Sequence, residues 1–246
     1  MRLPNVLDRL LVWLDARRVR SRGDPEHHQL AQFFSAGQTA LDVGANHGVY
    51  TYSLMLCGGQ VHAIEPNPML AARLRGAGMR GVTVHEAAVG DVAGEAVLFV
   101  PRHRKGRQDD PAGRLAEAGE GGEGWRYPVK VITIDGLGLG PIAFIKMDVE
   151  GYENLAVTGG WATVLRDRPH VLIELEDRRE PGCRRGVIGR FTDVGYSAWY
   201  LDQGDWRDET LLGIDQTAKH GRYINNFLLS PTLEKPLMAA LFPQGH

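Results

Sequence analysis

The stretch IAFIKMDVEGYE, residues 142 to 153, sets Lys146, Asp148, Glu150 and Glu153 at the end of an apolar run. A core strand has no use for such charges, so they point to a crevice where chemistry is done. Period-two alternation places Phe144, Lys146 and Asp148 on one strand face and Ile145 and Met147 on the other. A carboxylate at a strand end can orient a hydroxyl or take its proton. Asp148 beside a cationic ligand would stay ionised, a good positioner. Glu150, in the turn, is the other candidate base. Lys146 reads as the ion-pair partner of Asp148 or of an acid on the next strand, with orientation of an acceptor oxygen as the active alternative. Glu153 suits a helix start, at the positive end of the dipole. A later run, HVLIELE, puts Glu174 and Glu176 on one face, where Glu174 would meet Lys146 or face an acceptor. Asp148, Glu150 and Glu174 could together hold Mg²⁺ and polarise a hydroxyl, although carboxylates at a crevice mouth more often act without metal.

A second constellation lies upstream. LDVGANHG ends a β-like run with Gly44 and Gly48, glycines that permit a tight turn and close backbone approach. A dinucleotide fingerprint would need glycine where Asn46 stands. About twenty residues on, QVHAIEP delivers Glu65 and Pro66, at the spacing where an acid meets ribose hydroxyls. Asp42 adds a negative charge that favours a sulfonium or ammonium over phosphates. S-adenosylmethionine meets these demands, with NAD or another nucleotide as the alternative. VTVHEAAVGD then offers small residues, Ala87, Ala88 and Val89, for a flat ring and Asp91 for an exocyclic amine. His47 titrates near neutrality and is a possible base, local hydrogen bonding being its plainer role. His27 and His28 either roof this pocket or sit in solvent. Trp125, Tyr127, Trp199, Tyr200 and Trp206 offer a sugar-stacking platform or, more plainly, core packing. Asn225 and Asn226 either reach the acceptor or serve a turn.

These residues need a scaffold of strand ends. TALDV, QVHAI, VTVHEAAV, IAFIKM and HVLIE alternate with helix-like segments such as YTYSLML, MLAARLRGAG and YENLAVTGGWATVLRDR. That rhythm predicts crossover units and a mainly parallel sheet covered on both faces. Near the end, YSAWYLD and INNFLLS read as strands around the loop QGDWRDETLLG. The expected division is an N-terminal helical extension (1–37), one α/β domain (38–232) with a mobile, Gly-rich insertion loop at 101–127, and a tail (233–246).

LDVGANHGVYT, VHAIEPNP, EAAVGD, TIDGL, FIKMDVEGYE and PHVLIELE, in this order, resemble the FkbM-type S-adenosylmethionine-dependent methyltransferases. The resemblance covers roughly residues 38 to 176 and implies a Rossmann-like class I methyltransferase fold, a seven-stranded sheet with an antiparallel C-terminal hairpin strand. It implies O-methylation of hydroxyls on sugars, glycolipids or secondary metabolites. By motif match, Asp42, Gly44, Asn46 and Gly48 would line the methionine half of the donor, Glu65 the ribose, and Ala88 with Asp91 the adenine. His47 stands where the family carries a hydrophobic or aromatic residue, and the long 101–127 stretch makes acceptor specificity non-transferable.

Composition is that of an ordinary globular chain: 246 residues, 43% hydrophobic, 24% charged, formal net charge -2. That charge gives no global reason to bind nucleic acid or an anionic membrane. Two cysteines, Cys57 and Cys183, suggest no disulfide framework and fit a cytoplasmic setting. The N-terminal LPNVLDRLLVWLDARRVRSR is too charged for a membrane span, but its helical periodicity suits packing on the domain or a homodimer contact. The expectation is therefore an O-methyltransferase acting on a small-molecule or glycan hydroxyl by in-line displacement. Competing readings are a nucleotide-dependent Rossmann enzyme, a non-catalytic nucleoside binder and an RNA 2′-O-methyltransferase.

Overall fold

The computed structural model describes residues 10–14, 25–102, 113–116, 122–213, 215–218 and 221–232. The expected tail at 233–246 and much of the N-terminal extension lie outside these residues. The chain builds β1 (Thr39–Val43), α1 (Val49–Leu56), β2 (Gln60–Ile64), α2 (Pro68–Gly76) and β3 (Val82–His85). After a second small sheet come β8 (Ile142–Met147), α3 (Glu153–Thr158), α4 (Trp161–Asp167), β9 (His170–Glu174), α5 (Cys183–Thr192), β10 (Ser197–Asp202), β11 (Asp205–Asp208) and β12 (Asn226–Ser230).

Eight strands form the main sheet in the order β11-β10-β12-β9-β8-β1-β2-β3. β3, β2, β1, β8 and β9 run parallel, and β12 lies antiparallel between β9 and β10. The expected seven strands are present, and the loop QGDWRDETLLG adds the eighth. Within it Asp205–Asp208 turns back on β10, Leu201 opposite Trp206. A strand that is buried on both faces is largely apolar, and β8 is so apart from Lys146: Phe144 packs with Ala40, Leu54 and Leu172 on one face, Ile145 and Met147 with Val43 and Ile173 on the other. Trp199 and Trp206 belong to the first of these clusters and Tyr200 to the second, so these three aromatics are core.

The run VTVHEAAVGD divides between two sheets. Val82–His85 closes the main sheet, whereas β4 (Ala88–Val89) joins β5 (Gly94–Pro101), β6 (Arg114–Leu115) and β7 (Gly124–Ile132) in the order β4-β7-β5-β6. β5 and β7 form a long antiparallel pair from Gly94↔Val131 to Pro101↔Gly124. Thus the stretch expected as loop at 101–127 contains β6 and the first residues of β7, while 103–112 and 117–121 lie outside the described residues.

The segment YENLAVTGGWATVLRDR is two helices, broken at Gly159 and Gly160. A Cβ on Gly159 would fall 2.0 Å from Gly90 O, so the backbone approach there requires glycine. Upstream, EHHQLAQFF forms two 3₁₀ turns (Pro25–His28 and Leu30–Gln32) in place of the expected helix. His27 is buried and meets Tyr50 edge-on, and His28 is exposed. Residues 10–14 are helical, with Val12 buried among Ala45, Ala63 and Leu74. That part of the extension packs on its own domain. No helix among the described residues is long and apolar enough to cross a membrane.

Candidate active site

β1, β2 and β8 end side by side, and their turns enclose a crevice of about 630 Å³ including its open mouth. Where the strand order of a parallel sheet reverses, two neighbouring turns part and leave room for a ligand. Gly44 leaves β1 with φ 79°, and a Cβ there would lie 1.7 Å from Asp148 O. No other residue lets the two strand ends come so close. Two residues on, the chain turns sharply again, Asn46 having φ 52°.

Glu65 forms the polar floor. Its side chain is only 5% exposed; Oε2 accepts the Asn46 N–H at 2.7 Å and Oε1 the Asn67 N–H at 2.8 Å. Each oxygen keeps a lone pair for a further donor. Burial lifts its pKa to about 7 despite those two bonds. Asn67 also caps α2, its side chain accepting from Met69 N at 3.0 Å. One short segment therefore fixes both the acid and the helix.

The end of β8 and the turn after it carry the second set of charges. Lys146 is 2% exposed, its Nζ 3.9 Å from Asp148 Oδ2, 3.3 Å from Met147 O and 5.0 Å from the centre of the Tyr50 ring. A buried ammonium needs such company, and the ion-pair reading of Lys146 is the one these contacts support. Asp148 reaches the crevice. Glu150 adopts φ 56°, an uncommon conformation for a residue with a Cβ, and its carboxylate pairs with Arg179, which also bridges Glu176. Glu153 begins α3 as expected but does more than complement its dipole. Buried, it accepts from Val149 N at 3.1 Å and from Gly151 N at 3.1 and 3.2 Å, clamping the turn. Burial raises its pKa.

Glu174, at the end of β9, accepts from Asn225 Nδ2 and lines, together with Asp148, an adjoining cavity. Burial first, then the neighbouring Asp148 charge, pushes its pKa to about 8. The negative charge of Asp148 beside it adds to burial in holding the proton on Glu174. Asn225, one of the two asparagines flagged in the sequence, joins this pair.

Of the residues anticipated for a donor site, Gly44, Asn46, Glu65, Pro66 and Ala88 line the crevice, as do Asp148 and Glu150. The others are placed elsewhere. Asp42 is buried beneath the loop, where the Thr51 hydroxyl donates to Oδ2 and Lys146 is its partner across the β1–β8 pairing. It supports the turn without reaching the ligand space, and burial lifts its pKa to about 6. His47 turns to Arg73 of α2, Nδ1 lying 3.0 Å from Nη1. Gly48 caps α1 and packs on Leu74 and Val12. Asp91 is exposed and absent from the lining, so the exocyclic-amine role assigned to it finds no support. Glu174 borders an adjoining smaller cavity of about 250 Å³ that also opens on Asp148, Glu176 and Arg179. Sequence reasoning missed Asn67, Tyr152, Leu98, Arg114 and Leu115 in the crevice wall. Only Asn67 carried a signal, the Asn-Pro of a helix start. Among the described residues no group of three or more His, Cys, Asp or Glu is arranged to hold a metal ion. Glu150 is paired with Arg179, so the Mg²⁺ set of Asp148, Glu150 and Glu174, the lesser of the two sequence readings, does not assemble.

The methyltransferase FkbM domain matches residues 42–208, two thirds of the chain. The chain belongs to the FkbM methyltransferase family. The crystal structure of methyltransferase FkbM from Methylobacillus flagellatus KT superposes with a TM-score of 0.51 at 17% identity, covering 87% of this chain and 52% of that one. The FkbM chain described here thus spans about half the length of that protein. An rRNA methylase from Streptococcus thermophilus (TM-score 0.47, 11% identity, 83% and 91% coverage) and a putative methyltransferase, SMU.1697c, from Streptococcus mutans in complex with SAH (0.46, 9%, 83% and 94%) also align. Likeness at that level says nothing of substrate. Among curated proteins none matches significantly. The Rossmann-like class I methyltransferase fold expected from the motifs is the fold observed. An adenosyl donor fits the crevice: Glu65 retains acceptor capacity for a diol, the lining near Ala88 is apolar, and the acids Glu65, Asp148 and Glu150 outnumber Arg114 in the lining.

Proposed function

We infer that the protein is an S-adenosylmethionine-dependent O-methyltransferase acting on a hydroxyl of a sugar, glycan or small metabolite. The observation that carries this reading is the junction of two sites at one residue: Asp148 lines the donor crevice and also, with Glu174, the neighbouring polar cavity. The donor supplies an electrophilic methyl on a sulfonium. Glu65 holds the donor's ribose diol, and Gly44 and Asn46 present backbone to its methionine half. Asp148 meets the acceptor hydroxyl from the rim and takes its proton as the new C–O bond forms and the methyl–sulfur bond breaks, leaving S-adenosylhomocysteine. A sugar hydroxyl barely ionises at neutral pH, so a base is required, and positioning supplies much of the remaining acceleration.

The base is best described as the Asp148–Glu174 pair. Glu174, whose pKa burial and the neighbouring Asp148 charge push up to about 8, is the second acid of that pair. Lys146 holds Asp148 from below and keeps the pair's charge compensated. Glu150, the other candidate base, is tied to Arg179 and shapes the turn. Asn225 keeps Glu174 aimed at Asp148.

Incubation with methyl-labelled donor and a panel of glycosides and hydroxylated metabolites, read by mass spectrometry, tests the assignment. Methyl ether products that vanish in Asp148→Asn are expected. Transfer to nitrogen or carbon only, or full turnover in Asp148→Asn, would overturn it. Nucleotide oxidation or reduction with NAD would restore the dehydrogenase alternative.

A further inference from the structure

The crevice wall contributed by β6 belongs to none of the recurring strand ends. Its two residues pair antiparallel with β5, Leu98 opposite Leu115 and Phe99 opposite Arg114, and Ala116 N–H adds a 2.7 Å bond to Val97 O. Gly113 lies so close over β5 that a Cβ there would meet Val100 Cγ2 at 3.2 Å. Leu115, half-buried, packs on the cluster of Ala88, Leu98, Val100 and Val129, and with Leu98 and Ala88 it lines the crevice. A third contact comes from the turn that carries Asp148 and Glu150: Tyr152 Oη donates to Leu115 O at 3.5 Å.

A flat aromatic ring needs apolar surface on its faces and polar partners only at its edge. Asp91, the expected edge partner, is exposed and outside the crevice, so recognition of the ring rests on its faces. Ala88 supplies small surface on β4; Leu98 and Leu115 supply bulk on β5 and β6. We propose that β6 is the outer wall of the adenine subsite, with Leu115 as the residue that grips the ring and Tyr152 fastening that wall to the turn holding Asp148. This rests on the reading of the crevice as a donor site. It also gives the insertion at 101–127 a function in its described part: the second small sheet exists to present Leu98 and Leu115 to the donor.

Calorimetric titration of the full chain with S-adenosylhomocysteine and, separately, with adenosine tests the proposal. Leu115→Ala should weaken both ligands by about tenfold, since it removes apolar contact to the part they share. Leu115→Met, of similar volume, should bind as the wild type, and Tyr152→Phe should lose about threefold in S-adenosylhomocysteine affinity. Unchanged affinity in Leu115→Ala, or a loss confined to S-adenosylhomocysteine with adenosine unaffected, overturns the assignment. Should Leu115→Ala fail to fold, hydrogen exchange on the wild type decides: S-adenosylhomocysteine must slow the amides of residues 114–116, and unaltered exchange there refutes the wall. A wild type that binds neither ligand sinks the donor reading itself. A wild type that binds both while Leu115→Ala matches it sinks this inference alone.

Discussion

Glu65 and the Asp148–Glu174 pair show what single residues decide. Glu65→Gln preserves shape but turns one acceptor oxygen into a donor, which then faces the N–H of Asn46 or Asn67. A buried donor against a donor costs roughly 1–3 kcal/mol, so donor affinity should fall by about ten- to a hundredfold with the fold retained, measurable by calorimetry. The carboxylate pair predicts a pH profile. Single-turnover methyl transfer should rise with pH through an apparent value near 8, and Glu174→Gln, which cannot ionise, should flatten that limb while leaving donor affinity intact. A profile unchanged in Glu174→Gln would remove the pair from the mechanism. Spacing along the chain made Glu65 and Asp148 legible, because each ends a strand at the sheet's open edge. It could not say which way a neighbouring side chain turns. Asp42 sits one residue before the end of β1, on the face toward α1, where Thr51 takes it; His47 leans onto Arg73. The distance between an acid at a strand end and an acid one residue below it is the distance between ligand binding and support.

At the scale of elements, backbone approach controls the site. Gly44 places the β1 turn against the Asp148 carbonyl, and Gly44→Ala combines positive φ with a 1.7 Å overlap on backbone that cannot step aside. A loss of at least ~3 kcal/mol in denaturant unfolding, with loss of donor binding, is expected. Gly186 and Gly189 are the contrast. Both lie inside α5, have ordinary φ, and a Cβ would meet nothing within 4 Å. Each change to alanine should raise stability by up to ~1 kcal/mol without altering donor affinity, which equilibrium unfolding and titration would check together. The parallel strands were readable from their apolar runs and Gly-rich exits. β11 was not, because DWRD is four residues with one apolar member, and only pairing with β10 makes it a strand. β6 was hidden for the same reason. Its Arg-Leu pair has no period to detect and is a strand because β5 offers an edge. The break at Gly159 and Gly160 was visible as glycines, but its cause, the Gly90 carbonyl, belongs to another sheet.

For the molecule as a whole, the buried titratable groups set opposing pH slopes. Asp42, Glu65 and Glu174 have pKa values raised to about 6, 7 and 8, chiefly by burial. Raised acids favour the folded state while protonated, so their contribution is complete at low pH and is lost as pH climbs through those values. His170 works the other way. Burial holds its pKa down to about 4, so its contribution is present above the ordinary imidazole range and is lost as pH falls toward 4. Three raised acids outweigh one histidine, so ligand-free stability should already fall with rising pH from about pH 5 upward. Between pH 6.5 and 8 His170 no longer changes, while Glu65 and Glu174 still lose their protons into buried sites, so the melting temperature should decline over that interval. A cationic donor reverses the balance, because a sulfonium beside ionised carboxylates compensates the charge that burial penalises. The rise in melting temperature on adding S-adenosylmethionine should therefore be larger at pH 8 than at pH 6.5. S-adenosylhomocysteine, which lacks the sulfonium charge, should show a smaller dependence. Thermal melts across this range with both ligands make the comparison directly. A donor-induced shift independent of pH, or equal slopes for the two ligands, would mean that the buried acids serve the fold and not the charge of the donor.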